Sequence, residues 1–329
     1  MMQISPETQL FIREHSSDDV RALALQAKKY PDIDMPTVIT QIAGRKVAAE
    51  KIPSWWEIEK IWYPKHLSLE QCSSEITARY KARLLQGDSL TDLTGGFGID
   101  CSFLATGFKS ATYVERQEEL CEIAAHNFPV LNLNHINIKN EDGVTYLQAM
   151  SPVDCLFLDP ARRNEHGGKT VAISDCEPNV AELEELLLQK ANRVMIKLSP
   201  MLDLSLALKE LKQTQEVHIL SVNNECKELL ILLGQTSPAE ISIHCVNLFT
   251  KGTQKEQHFV FTREQEQCSE CTYTDSLETY LYEPNASLLK AGAFRSIAAA
   301  YPVRKLHPNS HLYTCLLYTS PSPRDMRRS

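Results

Sequence analysis

Apolar residues recur at helical spacing through residues 7–85, as in Val20, Leu23, Ala24 and Ala27 and again in Val38, Ile42 and Val47. This pattern predicts a helical N-terminal unit. From residue 89 to 234 the texture changes. Short apolar runs at 89–93, 111–114, 136–138, 155–158, 193–198, 217–222 and 229–233 alternate with helical patterns. Strand and helix in repeated alternation predict a mostly parallel sheet with helices on both faces. Only a few polar residues separate the last two runs, too few for a helical crossover, so that pair is expected to be antiparallel. Beyond residue 234, β-like segments at 241–249 and 259–262, a Glu/Gln/Cys-rich stretch and a helix over 286–301 predict a small α+β appendage.

Composition narrows the picture. The 329 residues are 43% hydrophobic and 23% charged, an ordinary globular balance with room for two or three packed units. No apolar run approaches the ~20 residues of a membrane helix, and the N-terminus lacks a signal-peptide layout, so a soluble, cytoplasmic chain is expected. Ten cysteines are scattered, and Cys101, Cys121 and Cys155 sit in apolar stretches, which suits a reducing compartment. A formal charge of -8 means that any nucleic acid must be held by a local Arg/Lys patch. Trp55-Trp56 and Trp62-Tyr63 are expected to close a core. Cys268-Ser-Glu-Cys271 is half of a zinc motif with no second Cys/His pair at matching spacing, and no metal is expected.

The candidate chemistry lies at strand ends. Asp92 closes the first strand and leads into Leu93-Thr94-Gly95-Gly96-Phe97-Gly98, where glycines let the backbone approach a ligand. A dinucleotide fingerprint would need a third glycine where Cys101 stands, and Asp92 would repel a pyrophosphate. That carboxylate suits the cationic sulfonium and amino group of S-adenosylmethionine. About twenty residues on, Glu115 ends the second strand, where a carboxylate can accept both hydrogens of a ribose diol. Asp142 follows the third strand, placed to accept from the adenine amino group. The expected cofactor set is Asp92, Thr94, Gly95, Gly96, Gly98, Glu115 and Asp142. The fourth strand delivers Asp159-Pro160 to the carboxyl edge of the sheet, where open α/β sheets bind ligands. Methyl transfer is an in-line displacement that mainly needs alignment, and Asp159 can orient an amine or hydroxyl. Arg162 and Arg163 would then grip phosphate or carboxylate on the substrate. Lys197 and Ser199 are secondary candidates for the same cleft, and Lys169 and Asp175 for a lid.

Taken in order across most of residues 70–235, Asp92 to Gly98, Glu115, Asp142 and Asp159-Pro160 resemble the motifs of class I S-adenosylmethionine-dependent methyltransferases. RNA methyltransferases are nearest by motif, with Gly95 here in place of their usual cysteine. Leu158-Asp159-Pro160-Ala161-Arg162-Arg163, the stretch from Gln71 to Lys81 and Tyr282-Glu-Pro-Asn-Ala286 resemble more closely a bacterial family of predicted methyltransferases with a THUMP-like C-terminal domain. The resemblance implies a Rossmann-like sheet, parallel with an antiparallel last strand, between a helical N-terminal unit and a small α+β appendage. It implies S-adenosylmethionine as cofactor, Asp159 and Pro160 as the catalytic pair, and RNA as partner, with Arg304-Lys305, His307 and His311 as a small basic segment.

The domain boundaries that follow are a helical unit at 1–68, a methyltransferase domain at 69–235, a small β-rich, ferredoxin-like unit at 236–278 and a truncated THUMP-like domain at 279–315. Residues 316–329 repeat Leu-Tyr-Thr and end in Ser, Pro and Arg, resembling a translated sequencing adapter. Two departures restrict the chemistry. Ser221-Val222-Asn223 offers no cysteine for covalent attack on a pyrimidine. Ala161-Arg162 stands where amino-group methyltransferases carry a proline and a stacking aromatic. The alternative is a non-catalytic module that keeps the fold and binds RNA or protein.

Overall fold

The computed structural model describes residues 4–162, 172–236 and 238–316. The chain is mixed α/β, with a large, mostly parallel sheet and a small antiparallel sheet in its C-terminal part. Its contacts fall into two units, residues 1–157 and 158–329.

The first unit opens with helices α1 (Pro6–Glu14), α2 (Val20–Leu25), α3 (Met35–Lys51), α4 (Pro53–Trp56), α5 (His66–Gln71) and α6 (Glu75–Ala82). Local chemistry sets their starts. Asp19 accepts from the amides of Arg21 and Ala22 to cap α2, and Asp34 accepts from Thr37 to cap α3, each worth about 1 kcal/mol. Then come β1 (Ser89–Asp92), α7 (Ile99–Ala105), β2 (Ser110–Glu115), α8 (Glu118–Val130), β3 (Ile136–Asn140), α9 (Gly143–Ala149) and β4 (Val153–Leu158). These four strands lie in the order β4-β1-β2-β3, every neighbouring pair parallel. The N-terminal helices share a core with the turn after β1 and with α7 and α8. Ala48, Ile52, Trp55, Tyr63 and Ala78 pack with Phe97, Ile99 and Ile123. Phe11, Leu23, Met35, Val38 and Ile42 form a smaller cluster among α1, α2 and α3. Trp55 packs edge-on to Phe97 with centroids 5.2 Å apart, so its role is packing, as its place in a helical unit suggested. Truncating so buried a ring costs about 3–5 kcal/mol.

The second unit contains β5 (Ala161–Arg162) paired antiparallel with β6 (Cys176–Glu177), then α10 (Val180–Lys190), β7 (Ala191–Leu198), α11 (Leu204–Glu210), β8 (Thr214–Val222), β9 (Glu225–Gly234), β10 (Ser242–Leu248) and β11 (Glu256–Thr262). The strand order is β11-β10-β8-β9-β7. β9 runs antiparallel to both β7 and β8, as its short connection required. The turn of that hairpin is Asn223-Asn224, with φ of 49° and 66°, the left-handed values of a type I′ turn that asparagine tolerates.

The sheet does not end at the antiparallel strand. Residues expected to form a separate β-rich unit supply β10, parallel to β8, and β11, antiparallel to β10. The expected helix over 286–301 is two helices, Ala286–Ala291 and Phe294–Ala300, because Gly292 adopts φ +72° and ends the first. The remaining elements are α12 (Arg263–Cys268), β12 (Tyr280–Tyr282), α13 (Ala286–Ala291), α14 (Phe294–Ala300), β13 (Arg304–Lys305) and β14 (Tyr313–Cys315), the three strands forming a small antiparallel sheet in the order β12-β14-β13. Among the described residues no helix is long and apolar enough to cross a membrane.

Candidate active site

In the first unit, parallel pairing aligns the ends of three neighbouring strands. Asp92 of β1 stands opposite Tyr113 of β2, and Glu115 of β2 opposite Asn140 of β3, two residues before Asp142. Asp92, Glu115 and Asp142 therefore all emerge at carboxyl ends. The turn after β1 is pinned from several sides. Leu93 N–H donates to the Phe157 carbonyl (3.0 Å), Thr94 N–H to Asp92 Oδ1 (3.0 Å) and Gly95 N–H to the Val114 carbonyl (2.8 Å). Gly96 N–H donates to Glu115 Oε2 (2.8 Å), and Tyr113 Oη donates back to the Gly96 carbonyl (2.5 Å).

The glycines serve different purposes. A Cβ at Gly95 would lie 2.2 Å from the Tyr113 ring, so that position is closed by packing. Gly96 has φ +54°, and a Cβ there would meet nothing nearer than a carbonyl oxygen at 3.8 Å. Its backbone thus faces open space, the cradle a ligand needs. Gly98, at φ +87°, starts α7 beneath the Phe128 ring.

The acidic groups are held in place by backbone amides. Glu115 is 8% exposed, and its Oε1 accepts from Gln117 N–H at 2.8 Å. Each carboxylate oxygen has a second lone-pair direction, so the group can hold the turn and accept from a diol as well. Asp142 Oδ1 caps α9, accepting from the amides of Val144 (3.1 Å) and Thr145 (3.0 Å) and from the Thr145 hydroxyl. Asp92 is 1% exposed. Burial, with Glu115 nearby, pushes the Tyr113 phenol well up, so it stays a donor at neutral pH. Burial, with Asp92 and Asp100 nearby, likewise pushes the Cys101 thiol up, which makes it an inert core residue. A turn bordered by carboxylates favours a ligand with a cationic end and disfavours a polyanion.

Sequence reasoning missed the support beneath this turn. Lys81, fully buried on α6, pairs with Asp100 Oδ1 on α7 at 2.8 Å, and Ser73 Oγ donates to Asp100 Oδ2 at 2.7 Å. Lys81 also donates to Ser73 Oγ at 2.8 Å. Lys81 lay within a recognised motif, but its partner nineteen positions away carried no pattern.

In the second unit, Asp159 follows β4 and is followed by buried Pro160. Asp159 Oδ2 receives the ammonium of Lys197, a β7 residue only 8% exposed. A lysine so buried needs a counter-charge, and Asp159 supplies it. Lys197, a secondary candidate from the sequence, thereby becomes a central one. Ser199 Oγ accepts from the Met201 amide (3.3 Å) and Asp175 Oδ2 from the Ala172 amide (3.2 Å), so both brace local turns. The Arg162 side chain, Arg163 and Lys169 lie outside the described residues. All ten cysteines are free thiols, Cys268 and Cys271 among them.

A family model described as a ferredoxin-like domain matches residues 280–321, the segment expected to be THUMP-like. The sequence matches none of the curated proteins with which it was compared. Among solved structures, the chain is similar to one from Porphyromonas gingivalis W83 described as a "putative methyltransferase", with a TM-score of 0.83 and 34% identity over 98% of this chain and 82% of that one. A Streptococcus mutans protein of the same description, in complex with SAH, gives a TM-score of 0.35 at 13% identity over 49% and 96%. An rRNA methylase from Streptococcus thermophilus gives 0.35 at 14% over 48% and 93%. On its match over nearly the whole length, the chain belongs to the family of the Porphyromonas gingivalis protein.

Proposed function

We propose that this protein transfers the methyl group of S-adenosylmethionine to an acceptor on RNA. The observation that carries the reading is the contact between the Gly96 amide and the Glu115 carboxylate at adjacent strand ends, beside an open Gly96 backbone. Membership in a family whose Porphyromonas gingivalis member is described as a "putative methyltransferase" supports it. The residues fit the cofactor: the open turn leaves room for its chain, and the buried carboxylates suit its positive charge.

When bound, S-adenosylmethionine supplies an electrophilic methyl group on a sulfonium. Asp92, with the Thr94 to Gly98 turn, holds the cationic end, Glu115 accepts from the ribose diol and Asp142 accepts from the adenine amino group. Asp159 receives the N–H or O–H of the acceptor and aligns its lone pair, with Pro160 fixing the backbone beside it. Lys197 holds the Asp159 carboxylate in place as a hydrogen-bond acceptor, and the proton that the methylated atom sheds passes to water. Arg162 and Arg163 follow in sequence as the phosphate-gripping residues. RNA as the acceptor rests on the motif resemblance.

The direct test is transfer of label from methyl-tritiated S-adenosylmethionine to total bacterial RNA. Label is expected in RNA with the wild-type chain and at least a hundredfold less with Asp159→Ala. RNA binding that is unchanged by Asp159→Ala, with no transfer to any acceptor, would instead identify a binding module.

A further inference from the structure

In the second unit, away from Asp159, three metal-ligating side chains meet on one face of the sheet. Glu216 and His218 are two residues apart on β8 and so share a face. His244 of β10 stands opposite His218 in the parallel register. One ligand atom from each of the three lies within 4.8 Å of the other two. Glu216 Oε2 and His218 Nε2 are already 3.2 Å apart.

The surroundings resemble the outer shell of a metal site. Arg193 donates to Glu216 Oε1 at 2.8 Å, which fixes the carboxylate and leaves Oε2 turned toward His218. His244 Nδ1 faces His258 Nε2 at 3.0 Å, while its Nε2 faces Ser242 Oγ at 3.2 Å. A ligating imidazole is usually oriented through its other ring nitrogen in this way.

Packing alone offers a second account, since the His218 and His244 rings stack with centroids 4.3 Å apart. The make-up of the set favours a ligand: two imidazoles and a carboxylate converge within 4.8 Å, with an arginine and a third histidine as outer partners, the donors that a borderline cation takes.

We propose that Glu216, His218 and His244 bind one divalent transition ion of the zinc class, with His258 and Arg193 as outer partners. Imidazole with carboxylate selects such an ion over calcium or magnesium, which take oxygen ligands. Zinc–nitrogen bonds of about 2.0–2.1 Å need donors about 3.3 Å apart, which ligand atoms already within 4.8 Å of one another can reach by side-chain rotation. The ion clamps β10 to β8, adding a tie beyond the backbone ladder. It has no part in the proposed methyl transfer.

The test uses the full chain, stripped with chelator, dialysed and titrated with zinc sulfate by calorimetry and by thermal unfolding. One equivalent is expected to bind and to raise the unfolding temperature. His244→Gln and Glu216→Gln should each weaken binding about a hundredfold or more, and His258→Ala about tenfold. Circular dichroism checks that each variant folds. The Cys268→Ser/Cys271→Ser double variant should bind zinc as the wild type does. Absence of stoichiometric binding by the folded wild-type chain overturns the proposal, as does binding that survives in His244→Gln but is lost in the cysteine variant.

Discussion

Gly95 and Gly96 are neighbours with opposite demands. Gly95 is closed by the ring of Tyr113, which is itself fully buried, so Gly95→Ala should cost about 1–3 kcal/mol in urea unfolding through overpacking. Gly96 opens to space. Gly96→Ala should cost only about 1 kcal/mol, for a left-handed alanine, yet weaken S-adenosylmethionine binding at least tenfold, because the added methyl occupies the cradle. Equal loss of stability in the two variants, with cofactor affinity unchanged in Gly96→Ala, would count against the turn as a ligand cradle. At this scale much was legible. The acidic strand ends at Asp92 and Glu115 and the glycine turn declare themselves by residue type and spacing. The interactions that distinguish one glycine from the next do not, because they depend on Tyr113 reaching back across the strand pair.

Between elements, α6 and α7 are joined by a buried ion pair rather than by apolar packing alone. Removing one partner leaves the other charged and desolvated, so Lys81→Met or Asp100→Leu should each destabilise the chain by about 3–5 kcal/mol. The double variant should cost clearly less than the sum, read from a double-mutant cycle in urea. Strict additivity would mean that the pair carries no coupling. The seven expected strands of residues 89–234 all form, because hydrophobic runs bounded by polar turns record burial on both sheet faces. What the pattern did not record was that the sheet continues. β10 and β11 read as a separate appendage because nothing in a strand's own sequence names its neighbour, and β10 joins through a backbone ladder with β8. Gly292 shows the same limit at a helix, since a single left-handed residue splits a pattern that is periodic on both sides of it.

For the whole molecule, the proposed function divides its tasks between the two units. Asp92, Glu115 and Asp142 belong to the first unit, and Asp159 with Lys197 to the second. Asp159→Ala should therefore abolish methyl transfer while changing the dissociation constant of S-adenosylmethionine less than about threefold. The Lys197→Met variant should lower transfer and add instability from an uncompensated carboxylate. A chain with formal charge -8 is not expected to hold RNA through a general electrostatic field, so transfer to RNA should survive moderate salt better than in a basic binder. Fold class was the most legible feature at this scale, because alternation of strand and helix leaves few topologies. The Lys197 pairing with Asp159 was the least, since residues thirty-eight positions apart are brought together only by the sheet.

The most direct measurement is calorimetric titration of S-adenosylmethionine into the purified chain, its Asp92→Ala variant and its Glu115→Ala variant. Micromolar binding by the wild type, lost in both variants while each remains folded, is the expected result. A folded wild-type chain that takes up no S-adenosylmethionine would contradict the assignment of the cofactor and, with it, of methyl transfer.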